Sequence, residues 1–246
     1  MNAKKILLLT GISLSVILTI AAMVWVLVNR ERPKPAHFAL LIDYSDSRTI
    51  NCGGIDATMQ EIMSSPNLMT NSNLYFFSTG DDKSSDEPIL LGKYKVPVNV
   101  KVLEGQSKAE RERQEFIGKI KTRCEKEPIK KRSPILLGIK RVIENLRING
   151  CDDKAGCKVF VQTDGQELSE PTVKQSLTAK SDNNSKTQIL IPNNGINIKI
   201  CGFAQVNNGT ANQKKRHNIQ TADTTIAVWK QVFTEPNSVL FPPHCQ

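Results

Sequence analysis

Five oxygen-bearing residues stand where an α/β chain could bring them together, and all are hard donors of the kind a small divalent cation takes. Three fall in one pentapeptide, Asp43-Tyr44-Ser45-Asp46-Ser47, an aspartate followed at +2 and +4 by serines. A tight loop that turns alternate side chains inward would present one carboxylate and two hydroxyls to a single point. The other two are Ser133, in Arg132-Ser133-Pro134, and Asp164, in Thr163-Asp164-Gly165. Each also has a plainer reading. Ser45, Asp46 or Ser47 would serve as a helix cap, Ser133 before Pro134 has the pattern of an ordinary N-cap, and Asp164-Gly165 has that of a turn.

The elements that must position these residues follow from the apolar pattern. Asp43 closes the continuous apolar run 38–42, which reads as a strand buried on both faces. Similar runs occupy 74–77 and 159–162, the latter leading into Asp164, and a fourth segment, 196–203, alternates polar and apolar residues. Between them lie helical patterns at 55–63, 108–125, 134–147, 171–179 and 221–233. The alternation predicts a Rossmann-like α/β architecture: an open, doubly wound, mostly parallel sheet with helices on both faces. Ligands of such sheets gather beyond the carboxyl ends of the strands, which puts all five oxygen donors on one rim. The stretch 80–104 fits less well. Within it, Lys95-Val96-Pro97-Val98-Asn99-Val100-Lys101-Val102 alternates and carries a proline, which suits an edge strand beside an insertion. Segments 181–187 and 207–217 read as loops.

From Phe38 to about Phe241 the sequence resembles the von Willebrand factor type A domain family. Leu40-Leu41-Ile42-Asp43-Tyr44-Ser45-Asp46-Ser47 looks like the family's first strand and its D-x-S-x-S metal motif, the opening of a MIDAS-type site. Ser133-Pro134-Ile135-Leu136-Leu137-Gly138-Ile139 looks like the segment carrying the family's threonine, and Val159 through Glu167 looks like its T-D-G strand end. The resemblance implies that Ser45, Ser47 and Ser133 touch a divalent ion, Mg²⁺ or else Mn²⁺ or Ca²⁺, while Asp43 and Asp164 hold it directly or through water. It further implies a protein partner that offers an acidic side chain to the ion. Two positions depart from the family. Ser133 keeps the hydroxyl of the usual threonine but loses the methyl that stiffens its rotamer, and Asn51-Cys52-Gly53-Gly54 is glycine-rich where the first helix is expected.

Ahead of this domain, residues 6–28 carry no charge and are long enough to span a bilayer as a helix. The competing reading is a cleavable signal peptide, with Lys4 and Lys5 before the apolar run and the small pair Ala21 and Ala22 inside it. Continuation of the run through Val28 favours an uncleaved single-pass anchor. The organisation expected is therefore a short tail (1–5), a transmembrane helix (6–28), a stiff linker with Pro33 and Pro35 (29–36) and one folded domain (37–246).

Charge and cysteine usage narrow the setting. Six cysteines are an even number, and Cys151 and Cys157 flank a short loop that a disulfide could close in an oxidising compartment; six separate thiols, with Cys201 buried in a strand, is the alternative. The disulfide reading places the domain outside the cytoplasm. The formal charge of +9 is partly local, since residues 108–147 hold 13 Lys or Arg against 6 Glu. Such an excess suits an anionic lipid, a nucleic acid or an acidic partner, but few aromatics and no nucleic-acid-binding motif favour a solvated helix face, and no nucleic acid partner is expected.

An enzyme is not expected. Aspartate-based phosphotransferases, which use Mg²⁺ at a strand end, need a second carboxylate two residues on, and position 45 is serine. The three histidines are scattered, and no phosphate-binding glycine loop is present. A structural assembly module with an empty metal site is the other non-catalytic reading.

Overall fold

A computed structural model describes residues 19–20, 23, 25, 34–44, 52–65, 68, 71–79, 87–97, 104–126, 134–152, 155–163, 190–202, 226–227 and 229–242. The chain divides into two compact units, Met1–Lys34 and Pro35–Gln246. In the first, Thr19, Ile20, Met23 and Trp25 are helical and exposed. Among the described residues no helix is long and apolar enough to cross a membrane, and the expected span at 6–28 lies largely outside them.

The second unit is built on a six-stranded mixed sheet. Its strands are β1 (His37–Ile42), β2 (Asn73–Ser78), β3 (Ile89–Lys95), β4 (Lys158–Gln162), β5 (Asn197–Cys201) and β6 (Val239–Leu240). They lie in the order β3-β2-β1-β4-β5-β6. Every neighbouring pair is parallel except β2 and β3. This is the doubly wound order, in which the direction of winding reverses between β1 and β4. Three helices are placed among the described residues: α1 (Ile55–Met63), α2 (Glu104–Lys126) and α3 (Ile135–Ile148).

Strand β1 is buried along its whole length because it carries a core on each face. Phe38, Leu40 and Ile42 pack with Ile55, Met59 and Ile62 of α1 and Ile117 and Ile120 of α2. Ala39 and Leu41 join Ile135, Ile139, Val142 and Leu146 of α3 on the other face, together with Trp229 from a second helical segment. Each fully buried aliphatic side chain of this kind stabilises the fold by about 1.5–3 kcal/mol, so the two-sided pattern of β1 is what commits the sheet to two helical layers.

The expected α/β class is met. Strands at 38–42, 74–77, 159–162 and 196–203, and helices at 55–63, 108–125 and 134–147, are found within a few residues of their expected ends. An edge strand is found at Ile89–Lys95, ahead of the expected one at 95–102; Val96 and Pro97 are not in a strand, and 98–102 lie outside the described residues. A register shift between Phe76 and Phe77 leaves Leu91 as an extra residue opposite β2 and turns it into the core beside α2. That bulge disrupts the alternation by which a half-buried strand is recognised. The expected helix at 171–179 and the loops at 181–187 and 207–217 lie outside the described residues. Of 221–233, Ile226, Ala227, Trp229 and Lys230 are helical, and Phe233 pairs with Ile191 in an isolated bridge.

Disulfides join Cys52 to Cys124 and Cys151 to Cys157, with Cα separations of 5.9 and 6.0 Å. Cys201 is disulfide-bonded as well. The first bridge fastens the approach to α1 onto the last turn of α2; the second ties the strand lead of β4 to the residues just past α3.

Candidate functional site

The carboxyl rim of the sheet between β1 and β4 is where the winding reverses, and Asp43 stands on it. Its side chain is fully buried, and an ionised carboxylate removed from water needs donors around it. Thr163, the residue after β4, supplies one: its hydroxyl donates to Asp43 Oδ2 at 2.9 Å. The Asp43 amide in turn donates to the Gln162 carbonyl at 2.9 Å, which carries the β1–β4 ladder one step past the strand ends. On the opposite side of β1, the Tyr44 amide donates to Thr79 Oγ1 at 3.0 Å, and the Thr79 amide donates to the Ile42 carbonyl at 2.9 Å. Thr79 and Thr163 are both fully buried. Two threonines just past the flanking strands thus clamp the backbone and carboxylate at the end of β1.

Gly202 explains how Thr163 is itself held. The Thr163 amide donates to the Cys201 carbonyl at 3.0 Å, and Gly202 follows with φ +106°. A Cβ there would collide with the Thr163 carbonyl. Only glycine combines that left-handed conformation with so close a passage.

Helix α3 reaches the same rim. The ring of His37, at the start of β1, lies beside Gly150, just past the end of α3, where an added Cβ would be 3.9 Å from its Nε2. At the other end of the strand, Leu41 packs against Gly138, where an added Cβ would lie 3.2 Å from a Leu41 methyl carbon. The helix therefore runs antiparallel to β1, with its start on the carboxyl side. Its N-cap is Pro134, without a side-chain cap, and at 1.5 Å per residue that position stands about 6 Å along the axis from Gly138. The segment ending at Ser133 leads into this helix start.

Of the five expected metal ligands, the structure describes Asp43. Ser45, Ser47, Ser133 and Asp164 lie outside the described residues, each next to or within three residues of a described one. Among the described residues no three His, Cys, Asp or Glu side chains cluster as a metal site. The cap reading of Ser45, Asp46 and Ser47 falls on residues outside the described ones, since Cys52 and Gly53 are already helical and 45–51 are not described. Thr79 was missed in the sequence. Its signal was slight, a hydroxyl residue just after the second apolar run, and its role depends on a cross-strand neighbour 35 positions away.

No family model matches the chain, and no curated protein does. Solved structures give partial likenesses. Proximal thread matrix protein 1 from the mussel byssus is 15% identical over 86% of this chain and 44% of its own, with a TM-score of 0.42. The manganese-loaded TRAP protein of Plasmodium vivax is 14% identical over 76% of this chain and 63% of its own, with a TM-score of 0.37. The pilus adhesin SpaC of Lactobacillus rhamnosus GG is 12% identical over 86% of this chain and 28% of its own, with a TM-score of 0.42. This chain spans less than two thirds of each of the three. Likenesses at this level add nothing to the geometry of the rim.

Proposed function

We propose that the chain is a membrane-anchored domain of von Willebrand factor A type that binds a protein partner through a divalent cation. Asp43, Ser45, Ser47, Ser133 and Asp164 would hold the cation, Mg²⁺ or alternatively Mn²⁺ or Ca²⁺. The observation that carries the reading is the buried Asp43 carboxylate at the β1–β4 reversal, braced by Thr163 while the start of α3 is brought to the same rim. The donor set fits a hard ion, since every member offers oxygen and none offers sulfur or imidazole. When bound, such an ion supplies an open coordination position for a carboxylate. The chain's own part is to fix Asp43 in orientation and to keep water from its buried side. The expected setting is outside the cytoplasm, with residues 6–28 as a single-pass anchor.

The reading is of a binding module and not an enzyme, because serine occupies position 45 where phosphoryl-transfer chemistry at such a rim needs a second carboxylate. Calorimetry of the full chain in detergent tests the ion. Mg²⁺ or Mn²⁺ should give saturable heat that Asp43→Ala removes; absence of heat from the unaltered chain overturns the proposal. Incubation with phosphoesters should give no turnover, and metal-dependent hydrolysis lost in Asp43→Asn would sink the non-enzymatic reading.

A further inference from the structure

The chain holds three Asn-Gly pairs, at 149–150, 194–195 and 208–209. Glycine has no side chain to shield its backbone nitrogen from the amide carbon of the preceding asparagine, so such a pair is where a chain can deamidate itself. The pair at 208–209 lies outside the described residues; the other two sit in contrasting surroundings. Asn194 and Gly195 are the central residues of a turn just ahead of β5, closed by the Ile196 amide donating to the Asn193 carbonyl at 2.8 Å, with Gly195 at φ +71°. The buried Asn193 side chain ties this turn to the segment leading into β6. Its Nδ2 donates to the Glu235 carbonyl at 3.1 Å and to Ser238 Oγ at 2.7 Å, and its Oδ1 accepts from the Glu235 amide at 2.9 Å. Thr234 Oγ1 lies 2.9 Å from Asn194 Oδ1 and 3.1 Å from Asn193 Oδ1. A hydroxyl has one proton to give, and because Asn193 Oδ1 already holds the Glu235 amide, it goes to Asn194. On the other side of the turn, the Gly195 amide donates to Glu235 Oε2 at 3.4 Å. A donor therefore stands on the side-chain carbonyl that would be attacked and a carboxylate on the N–H that would attack, and Asn194, Thr234 and Glu235 are all exposed to water. At Asn149-Gly150 the glycine amide donates instead to the Arg147 carbonyl at 3.0 Å, and Asn149 Nδ2 is drawn back onto the Asn145 carbonyl at 2.8 Å.

We propose that Asn194-Gly195 is a self-modifying site, at which the surrounding side chains speed deamidation of Asn194. Glu235 takes the proton from Gly195 N as that nitrogen bonds to Asn194 Cγ, while Thr234 stabilises the amide oxygen as it gains charge. The bond from Cγ to Nδ2 then breaks, and the side-chain nitrogen leaves as ammonia with the proton that Glu235 returns. A succinimide ring remains. Water adds to one of its two carbonyls, and the ring opens to aspartate or to isoaspartate at position 194. Either product sets a new negative charge beside Glu235, and isoaspartate also adds a methylene to the backbone of the turn from which β5 starts.

Incubation of the full chain in detergent at neutral pH, followed by digestion and peptide mass spectrometry that resolves aspartate from isoaspartate, tests this with Asn149 as the internal reference. In the folded chain deamidation at 194 should outpace that at 149 several-fold, and in urea, where only the dipeptide is left, the two rates should converge. Glu235→Gln and, separately, Thr234→Val should each slow position 194 several-fold and leave 149 unchanged, whereas Thr234→Ser should keep the rate. A folded-state rate at 194 equal to or below that at 149 overturns the proposal, since the hydrogen bonds would then restrain the turn and not act on it. So does an excess at 194 that persists in urea or survives both substitutions. The comparison of folded with urea-treated chain uses the unaltered protein, so it decides the matter even where a variant misfolds.

Discussion

Thr163 and His37 show how single side chains at the two ends of the sheet are bound to different tasks. Thr163→Val keeps shape but removes the donor to Asp43 Oδ2. The buried carboxylate then loses a hydrogen bond at a cost of about 1–3 kcal/mol, which chemical denaturation should record. Any ion affinity should fall as well, since the carboxylate is no longer fixed. Thr163→Ser keeps the hydroxyl and should restore most of both. His37 is governed by burial, which lowers its pKa, and the nearby Lys93 charge lowers it further against a hydrogen bond to the Asn149 backbone. The folded state thus disfavours the imidazolium relative to the unfolded chain, whose histidine titrates near its ordinary value of about 6.5. Stability is fully present above that pH and is lost as the pH falls through the lowered folded pKa. Thermal melts from pH 7.5 to 5 should show the decline, and His37→Gln should flatten it. Glu61 acts lower on the scale. Burial alone would raise its pKa, but hydrogen bonds and charge from Lys199 and Lys158 outweigh it and hold the carboxyl below its usual range. Its share of stability is therefore kept until the pH drops through that depressed value.

Among elements, the disulfides carry unequal loads. Cys52 and Cys124 close a loop of 72 residues and Cys151 and Cys157 one of 6. The chain-entropy relation gives about 4 kcal/mol for the longer loop and about 2 kcal/mol for the shorter. Cys52→Ser with Cys124→Ser should accordingly lower the denaturation midpoint more than the paired change at 151 and 157, as urea titration of each variant would reveal. The elements also mark where sequence is legible. Strands β1, β2 and β4 were readable because burial on both faces writes an unbroken apolar run. Helix α1 was readable because Ile55, Met59 and Ile62 recur at helical spacing. The edge strand was not, since its bulge at Leu91 hides a period of two. Strand β6 has two residues and no period to read. Asp43 could be singled out because it ends a run. Its clamps, Thr79 and Thr163, are defined by partners far along the chain, and that information exists only once the strands are paired.

For the molecule as a whole, the work proposed for it, binding of ion and partner, is gathered at the carboxyl rim of one sheet. The two disulfides placed among the described residues fall on different sides of the sheet. One layer has α1 and α2 stapled to each other through Cys52 and Cys124. The other has α3 leashed only beyond its last turn, where Cys151 meets Cys157. The start of α3 is held instead by packing, with Ile135 and Leu136 fully buried in the core, so the position of that helix start at the rim depends on how well those two side chains fill their space.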